Sequence, residues 1–213
     1  MTTPALYNPE LLDRIADDLY ANGFSIQPEA LSPTLCHDLL MALQHQPLRS
    51  AGIGRSELHR TNADIRRDSI AWIEPDDTAT RDWLAFAAEL QQAINRRLFL
   101  GLFSFESHFA HYAPGAFYKT HVDAFRGESN RVVSVVAYLN PSWQQSDGGS
   151  MVLYEPGDQG ETLAEVWPEQ GTLAVFLSEE FPHEVKPALR DRYSIAGWYR
   201  INTSDSSRVD PPR

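Results

Sequence analysis

The sequence is poor in cysteine, in positive charge and in long apolar runs. Its one cysteine, Cys36, cannot make an internal bridge, so the fold has to rest on burial alone. A chain of 213 residues with 42% hydrophobic content can do that, because folding at this size removes roughly 70% of the unfolded surface from water. The first twenty residues carry acids where a secretory signal carries bases, and no later apolar run reaches the ~18 residues of a membrane span. These absences predict a chain at work in the reducing cytoplasm, away from membranes. Eighteen Lys and Arg face 29 Asp and Glu, a net charge of -11, which repels a phosphate backbone and argues against a nucleic-acid partner. A phosphate-binding glycine loop, a glycosidase carboxylate pair and a nucleophile elbow are also missing. Repeats and low-complexity tracts are absent too.

What is present changes character near residue 100. Asn8-Pro9 and Ser32-Pro33 are helix-start signals. The first opens a helix with Leu11, Leu12, Ile15 and Leu19 on one face, ended by Gly23. The second opens one with Leu35, Leu39, Leu40 and Leu43, stopped by Pro47. A short strand at Phe24–Ile26 joins them, and Cys36 falls on an apolar helix face as a buried structural thiol. Trp83, Ala87, Leu90, Ile94 and Leu98 place a third helix over about Thr80–Arg97. The polar segment from Arg49 to Arg67 reads as a mobile surface loop.

From Gly101 the period becomes two. The runs SFESHFAHY, RVVSVVAYLN, GSMVLYE, TLAEVW, GTLAVFL, EEFPHEVKP and RYSIAGWYRI are strand-like and separated by turn residues. The aromatic residues, five Trp, eight Tyr and ten Phe, concentrate after residue 98, as in a β structure built around a pocket. The expected fold is mixed α+β: a β-sandwich or a double-stranded β-helix (jelly-roll, cupin-like) barrel over 101–201, with N-terminal helices packed on one outer face. Residues 1–213 form one catalytic domain on this reading, with 202–213 a frayed tail.

Of seven histidines, only His121 has an acid two residues on, in His121-Val122-Asp123. Residues i and i+2 of a strand share a face, so imidazole and carboxylate can meet one metal. Roughly one such pair is expected by accident in this composition, so the pair alone is weak. The context strengthens it, because His183 follows in Pro-His-Glu-Val and Arg192 lies nine residues further on. Two histidines and a carboxylate leave three octahedral positions open, the set suited to non-haem Fe(II) oxygenases. A bidentate 2-oxo acid and dioxygen would fill those positions, and a guanidinium is the planar fork for the distal carboxylate of the acid. His108 and His111, three apart on one strand, face opposite sides and read as core or rim residues. Lys119 reads as an exposed charge in preference to a co-substrate ligand.

The runs HYAPGAFYKTHVDAF, RVVSVVAYLN, DGGSMVLY and FPHEVKPALRDRYSIAGWY, in this order, resemble the Fe(II)- and 2-oxoglutarate-dependent prolyl hydroxylases of the prolyl 4-hydroxylase family. The likeness is to the oxygen-sensing branch, which acts on hypoxia-inducible factor, and its bacterial relatives, and it extends upstream through IRRDSIAWIE. It implies iron ligands His121, Asp123 and His183, and a 2-oxoglutarate site of Arg192, Tyr138 and Tyr112. It further implies a target-proline pocket of Trp72, Tyr118, Arg131 and Trp198, with Arg66 and Asp68 as an ion-paired brace near Arg131. Simple packing roles for Tyr138, Trp72 and Trp198 stay open. The stretch from Arg49 to Arg67 falls where the family has a loop that folds over bound protein. The implied co-substrates are 2-oxoglutarate and O2, with ascorbate as reductant and succinate and CO2 as products. A protein carrying an exposed proline is the implied partner, a translation factor or ribosomal protein among bacterial relatives. Two alternatives remain: hydroxylation of free proline or another small molecule, and a non-catalytic module that binds iron and 2-oxoglutarate. The chain stops soon after its last strand, where the oxygen sensors continue into a helix.

Overall fold

The computed structural model describes residues 9–51, 64–124, 130–157 and 160–202. Helix α1 (Pro9–Asn22), strand β1 (Phe24–Gln27) and helix α2 (Pro33–Gln44) follow the order expected from the sequence. Ser32 caps α2, its hydroxyl accepting from the Leu35 amide at 3.2 Å, with Pro33 in the first turn. Helix α3 (Thr78–Leu98) begins two residues before its expected start. Asp77 is the cap, and Thr80 answers it: the Thr80 amide donates to Asp77 at 2.8 Å and the Asp77 amide donates to the Thr80 hydroxyl at 3.1 Å. This reciprocal box uses threonine where glutamate is more usual, which hid it from the sequence pattern.

The strands form two antiparallel sheets. In the larger, the order is β1-β9-β6-β11-β4-β3-β2, with β2 (Arg49–Ser50), β3 (Ser69–Trp72), β4 (Leu102–Tyr112), β6 (Arg131–Tyr138), β9 (Leu173–Leu177) and β11 (Arg192–Ile201). The smaller runs β5-β10-β7-β8, with β5 (Tyr118–His121), β7 (Met151–Tyr154), β8 (Thr162–Val166) and β10 (His183–Val185). Strands β1, β2 and β3 come from the half read as helical, so helices and barrel share one sheet.

Alternation along the large sheet decides what lies on each side. Phe109, Val133, Val135, Ala137, Leu173, Val175, Ile195 and Tyr199 point one way and are buried with the apolar faces of the helices, among them Ile15, Leu39, Trp83, Phe86 and Leu90. Two hydrogen bonds fix the helical layer to the sheet: Trp83 Nε1 donates to Ser107 at 3.0 Å and the Tyr199 hydroxyl donates to the Ala87 carbonyl at 2.8 Å. The opposite face meets the small sheet, where Tyr138, Ala174 and Phe176 pack with Met151, Leu153 and Val166.

The ends of the expected surface loop are tied down, which corrects its boundaries. Arg49 and Ser50 pair with Ile70 and Ser69, the Ala51 amide donates to the Asp68 carbonyl at 2.9 Å, and Arg66 bridges to Tyr118. The middle of that loop, 52–63, and the tail beyond 202 lie outside the described residues. Cys36 is fully buried, and burial pushes its thiol up to about 11, as suits a structural residue.

Candidate active site

Three side chains converge inside the barrel. Strands β5 and β10 pair with His121 directly opposite His183, and Asp123 follows two residues after His121. The imidazole Nε2 atoms of His121 and His183 lie 3.6 and 3.7 Å from the two carboxylate oxygens of Asp123. All three ligand atoms are within 4.8 Å of one another. The ring orientations are set from behind. His121 Nδ1 meets the Lys119 carbonyl at 2.8 Å and His183 Nδ1 meets the Phe181 carbonyl at 3.1 Å. A carbonyl only accepts, so each Nδ1 carries the proton and each Nε2 offers its lone pair toward Asp123.

Electrostatics agree with that assignment. Burial lowers His183 to about 4, against the pull of Asp123, so it is neutral at neutral pH. Burial would raise Asp123, but the attraction of the two imidazoles in their charged form and the Ser134 hydroxyl, which donates at 2.6 Å, outweigh it and hold the carboxyl below the usual range. Two imidazoles and one carboxylate, gathered on one side of a buried space, fit a divalent ion with positions left open, as in Fe(II) oxygenases.

On the large sheet, at the start of β11, Arg192 is 1% exposed and sits with its guanidinium carbon 5.0 Å from the ring centres of both Tyr112 and Tyr138. Its Nε donates to the Gly149 carbonyl at 2.8 Å and its Nη1 to Ser194 at 3.3 Å. Arg192 Nη2 and the Tyr138 hydroxyl are buried and have no partner among the described residues. Two orphaned donors in a buried corner are costly unless something accepts from them, and a carboxylate satisfies both. The residues present therefore fit the distal end of a 2-oxo diacid. Asn140, which the sequence did not single out, clamps this corner: Tyr193 donates its amide to the Asn140 side chain at 2.7 Å and receives an amide hydrogen bond on its carbonyl at 2.9 Å. Gly149 also shapes it. At φ +72°, an added Cβ would fall 2.8 Å from Ala188 and 3.3 Å from the Arg192 side chain.

At the other end lie the aromatic residues. Trp72 is 45% exposed and Trp198 is 7% exposed, its indole Nε1 buried and without a partner among the described residues. The Arg131 guanidinium lies 3.8 Å from the Trp198 ring centre. Tyr118 stands apart from that group: it stacks on the metal-facing His121 at 3.5 Å and carries the Arg66 guanidinium above its ring at 4.7 Å. Arg66 and Asp68 do pair, through both Nε and Nη2, the latter at 2.7 Å. Arg131 has its own carboxylate, Glu106, at 3.0 and 2.7 Å. Ser134 and Glu106 were the other residues missed, because their contacts come from neighbouring strands, while His108 is buried, as its reading as a core or rim residue expects. His111 faces away and bonds Asp191 at 2.7 Å, and Lys119 is exposed, both as expected.

The sequence profile of the 2OG-Fe(II) oxygenase superfamily matches residues 107–200, the stretch that carries all four of His121, Asp123, His183 and Arg192. The crystal structure of a Pseudomonas putida prolyl-4-hydroxylase is similar at 41% identity and a TM-score of 0.80, covering 89% of this chain and 98% of that one. The chain belongs to this family of 2-oxoglutarate- and Fe(II)-dependent oxygenases. A prolyl hydroxylase from Trichoplax adhaerens, solved with a peptide of hypoxia-inducible factor, is 28% identical with a TM-score of 0.76 and covers 90% of this chain and 89% of that one. Egl nine homolog 1 of Homo sapiens is 28% identical over 151 residues, which are 68% of this chain and 35% of that protein. Across the human, rat and mouse proteins of that name, the match spans 35% to 44% of their length. Members of the family use Fe(II), 2-oxoglutarate and O2, and the prolyl hydroxylase structures share the double-stranded β-helix core seen here. No helix among the described residues is long and apolar enough to cross a membrane.

Proposed function

We propose that the chain is an Fe(II)- and 2-oxoglutarate-dependent dioxygenase that hydroxylates a prolyl residue within a protein and releases succinate and CO2. One observation carries this reading: a His-Asp-His cluster is joined through Asp123 and Ser134 to the large sheet, whose strand β11 carries a buried arginine with orphaned donors at one end and Trp198 of the aromatic group toward the other. Six residue steps along β11, about 20 Å of strand, separate Arg192 from Trp198, which leaves room for co-substrate and target ring at one metal. When bound, the iron and 2-oxoglutarate supply the oxidising chemistry that puts one oxygen atom of O2 onto carbon.

The roles of the chain's own residues follow. His121, Asp123 and His183 hold the ion through Nε2, carboxylate and Nε2, with Ser134 steering the carboxylate and the two backbone carbonyls fixing the imidazoles. Arg192 and Tyr138 bind the distal carboxylate of 2-oxoglutarate, and Tyr112 walls the space beside them. Tyr118, stacked on His121, narrows the entry to the metal, while Trp72, Trp198 and Arg131 receive the target ring. The bond between Arg66 and Asp68 keeps Tyr118 in place. An uncharged pyrrolidine ring suits indole faces, and burial there keeps water from the reacting carbon. The peptide complex of the Trichoplax relative supports a protein partner, and the proposal extends to a translation factor or ribosomal protein as that partner, a cytoplasmic setting and ascorbate as reductant.

The test supplies Fe(II), 2-oxoglutarate and O2 with a library of capped peptides, each bearing one proline, and with free L-proline. Hydroxyproline in a peptide, formed with succinate, is the expected product. Hydroxylation of free proline as efficient as that of any peptide would replace this reading with a small-molecule one.

A further inference from the structure

His108 belongs to neither the metal group nor the 2-oxoglutarate group, yet it is 2% exposed and holds a defined place on the inner face of the large sheet. Trp72 meets it edge to face, with ring centres 5.3 Å apart and planes at 88°. Trp198 lies 5.4 Å away on a tilted plane, and Arg131 covers Trp198 at 3.8 Å. Strands β3, β4, β11 and β6 thus contribute one rung each to a continuous stack, anchored by Glu106 on Arg131.

The register explains why the middle rung matters. Trp72 sits opposite His108 across β3 and β4, whereas Trp198 sits opposite Glu106 across β4 and β11. The strands of the two tryptophans are not neighbours, so what spaces their rings is the side chain between them. The imidazole is itself fixed, since Nδ1 meets the Phe109 carbonyl at 3.1 Å and must donate to it. Burial, with the charges of Arg66 and Arg131 and against that of Asp68, lowers the ring to about 4, so it is uncharged at neutral pH. The unpartnered Trp198 Nε1 adds a second observation. A buried donor with no protein partner has its direction set by packing alone, and His108 is part of that packing.

We propose that His108 is a positioning residue of the prolyl pocket, holding the indole planes of Trp72 and Trp198 at the spacing that receives an uncharged five-membered ring. The inference rests on the prolyl reading, but its first test does not. Metal-free enzyme carrying fluorotryptophan gives five fluorine resonances, which single Trp→Phe variants assign. In His108→Ala the Trp72 and Trp198 signals should shift or broaden while those of Trp83, Trp143 and Trp167 stay in place, which also shows that the fold is kept. His108→Phe, which retains a flat ring, should bring both signals back toward the wild type. Unchanged Trp72 and Trp198 signals in His108→Ala overturn the proposal.

The second test measures binding of a capped Gly-Ala-Pro-Ala-Gly peptide to the manganese-loaded enzyme with 2-oxoglutarate and without O2. His108→Ala should weaken it about tenfold and His108→Phe by less, with 2-oxoglutarate affinity unaltered in both. Equal peptide affinity in His108→Ala and wild type also overturns the proposal. If the wild type binds neither this peptide nor any prolyl peptide of the library, the prolyl reading fails, and the fluorine spectra alone decide whether His108 spaces the two indoles.

Discussion

Arg192→Lys separates the co-substrate site from the metal site. In the native chain the guanidinium divides its work: Nε is occupied by the Gly149 carbonyl at 2.8 Å, Nη1 by Ser194 at 3.3 Å, and Nη2 is left for a ligand. A lysine ammonium is one point charge on a flexible stem and cannot fill the Nε and Nη2 positions together. The variant therefore loses at least one charge-assisted hydrogen bond to the distal carboxylate, about 1.5–3 kcal/mol, or roughly 10- to 150-fold in affinity. Calorimetric titration of 2-oxoglutarate into manganese-loaded enzyme under nitrogen reads this directly, and a separate titration with manganese alone should be unchanged. Equal 2-oxoglutarate affinity in variant and wild type, within about twofold, would remove Arg192 from the co-substrate site.

Tyr138→Phe deletes the other orphaned donor and should weaken 2-oxoglutarate by about tenfold in the same titration, with iron affinity intact. Gly149→Ala places a methyl group against Ala188 and the Arg192 side chain at a left-handed backbone position, so thermal stability should drop and the KM for 2-oxoglutarate should rise together. His108 is held neutral in the fold at about 4, against 6.5 for the free side chain, so its contribution to stability is complete above pH 6.5 and declines as the pH falls toward 4. Urea unfolding of the metal-free enzyme should therefore show a loss of roughly 2 kcal/mol more between pH 7 and 5 in the wild type than in His108→Phe, and equal losses would refute the assignment.

The metal triplet was legible because its members carry local signatures: a strand-spaced His-x-Asp, a later histidine, and an arginine in the next run. The helices were legible from their apolar stripes, down to Leu11, Ile15, Leu39 and Leu90. Residues whose part depends on cross-strand register were not. Trp72 and Trp198 were named only through the family resemblance, and the place of His108 between them was hidden because the three are far apart in the chain and meet where β3, β4 and β11 are adjacent. Ser134 meets Asp123, Asn140 grips Tyr193 and Glu106 holds Arg131 for the same reason. The sheet partners of Arg49–Ser50 and Ser69–Trp72 were hidden because two- and four-residue strands have too few positions to show a period.

The central claim is that one metal, held by His121, Asp123 and His183, couples 2-oxoglutarate turnover to oxidation of a prolyl ring. The direct measurement follows succinate and hydroxyproline in the same reaction, with Fe(II), 2-oxoglutarate and the best peptide of the library, for the wild type and for Asp123→Ala. Succinate and hydroxyproline should rise in equal amounts in the wild type, and neither should form in the folded variant. Succinate formation that is undiminished in Asp123→Ala, or wild-type turnover that no prolyl peptide accelerates or converts to hydroxyproline, would contradict the account.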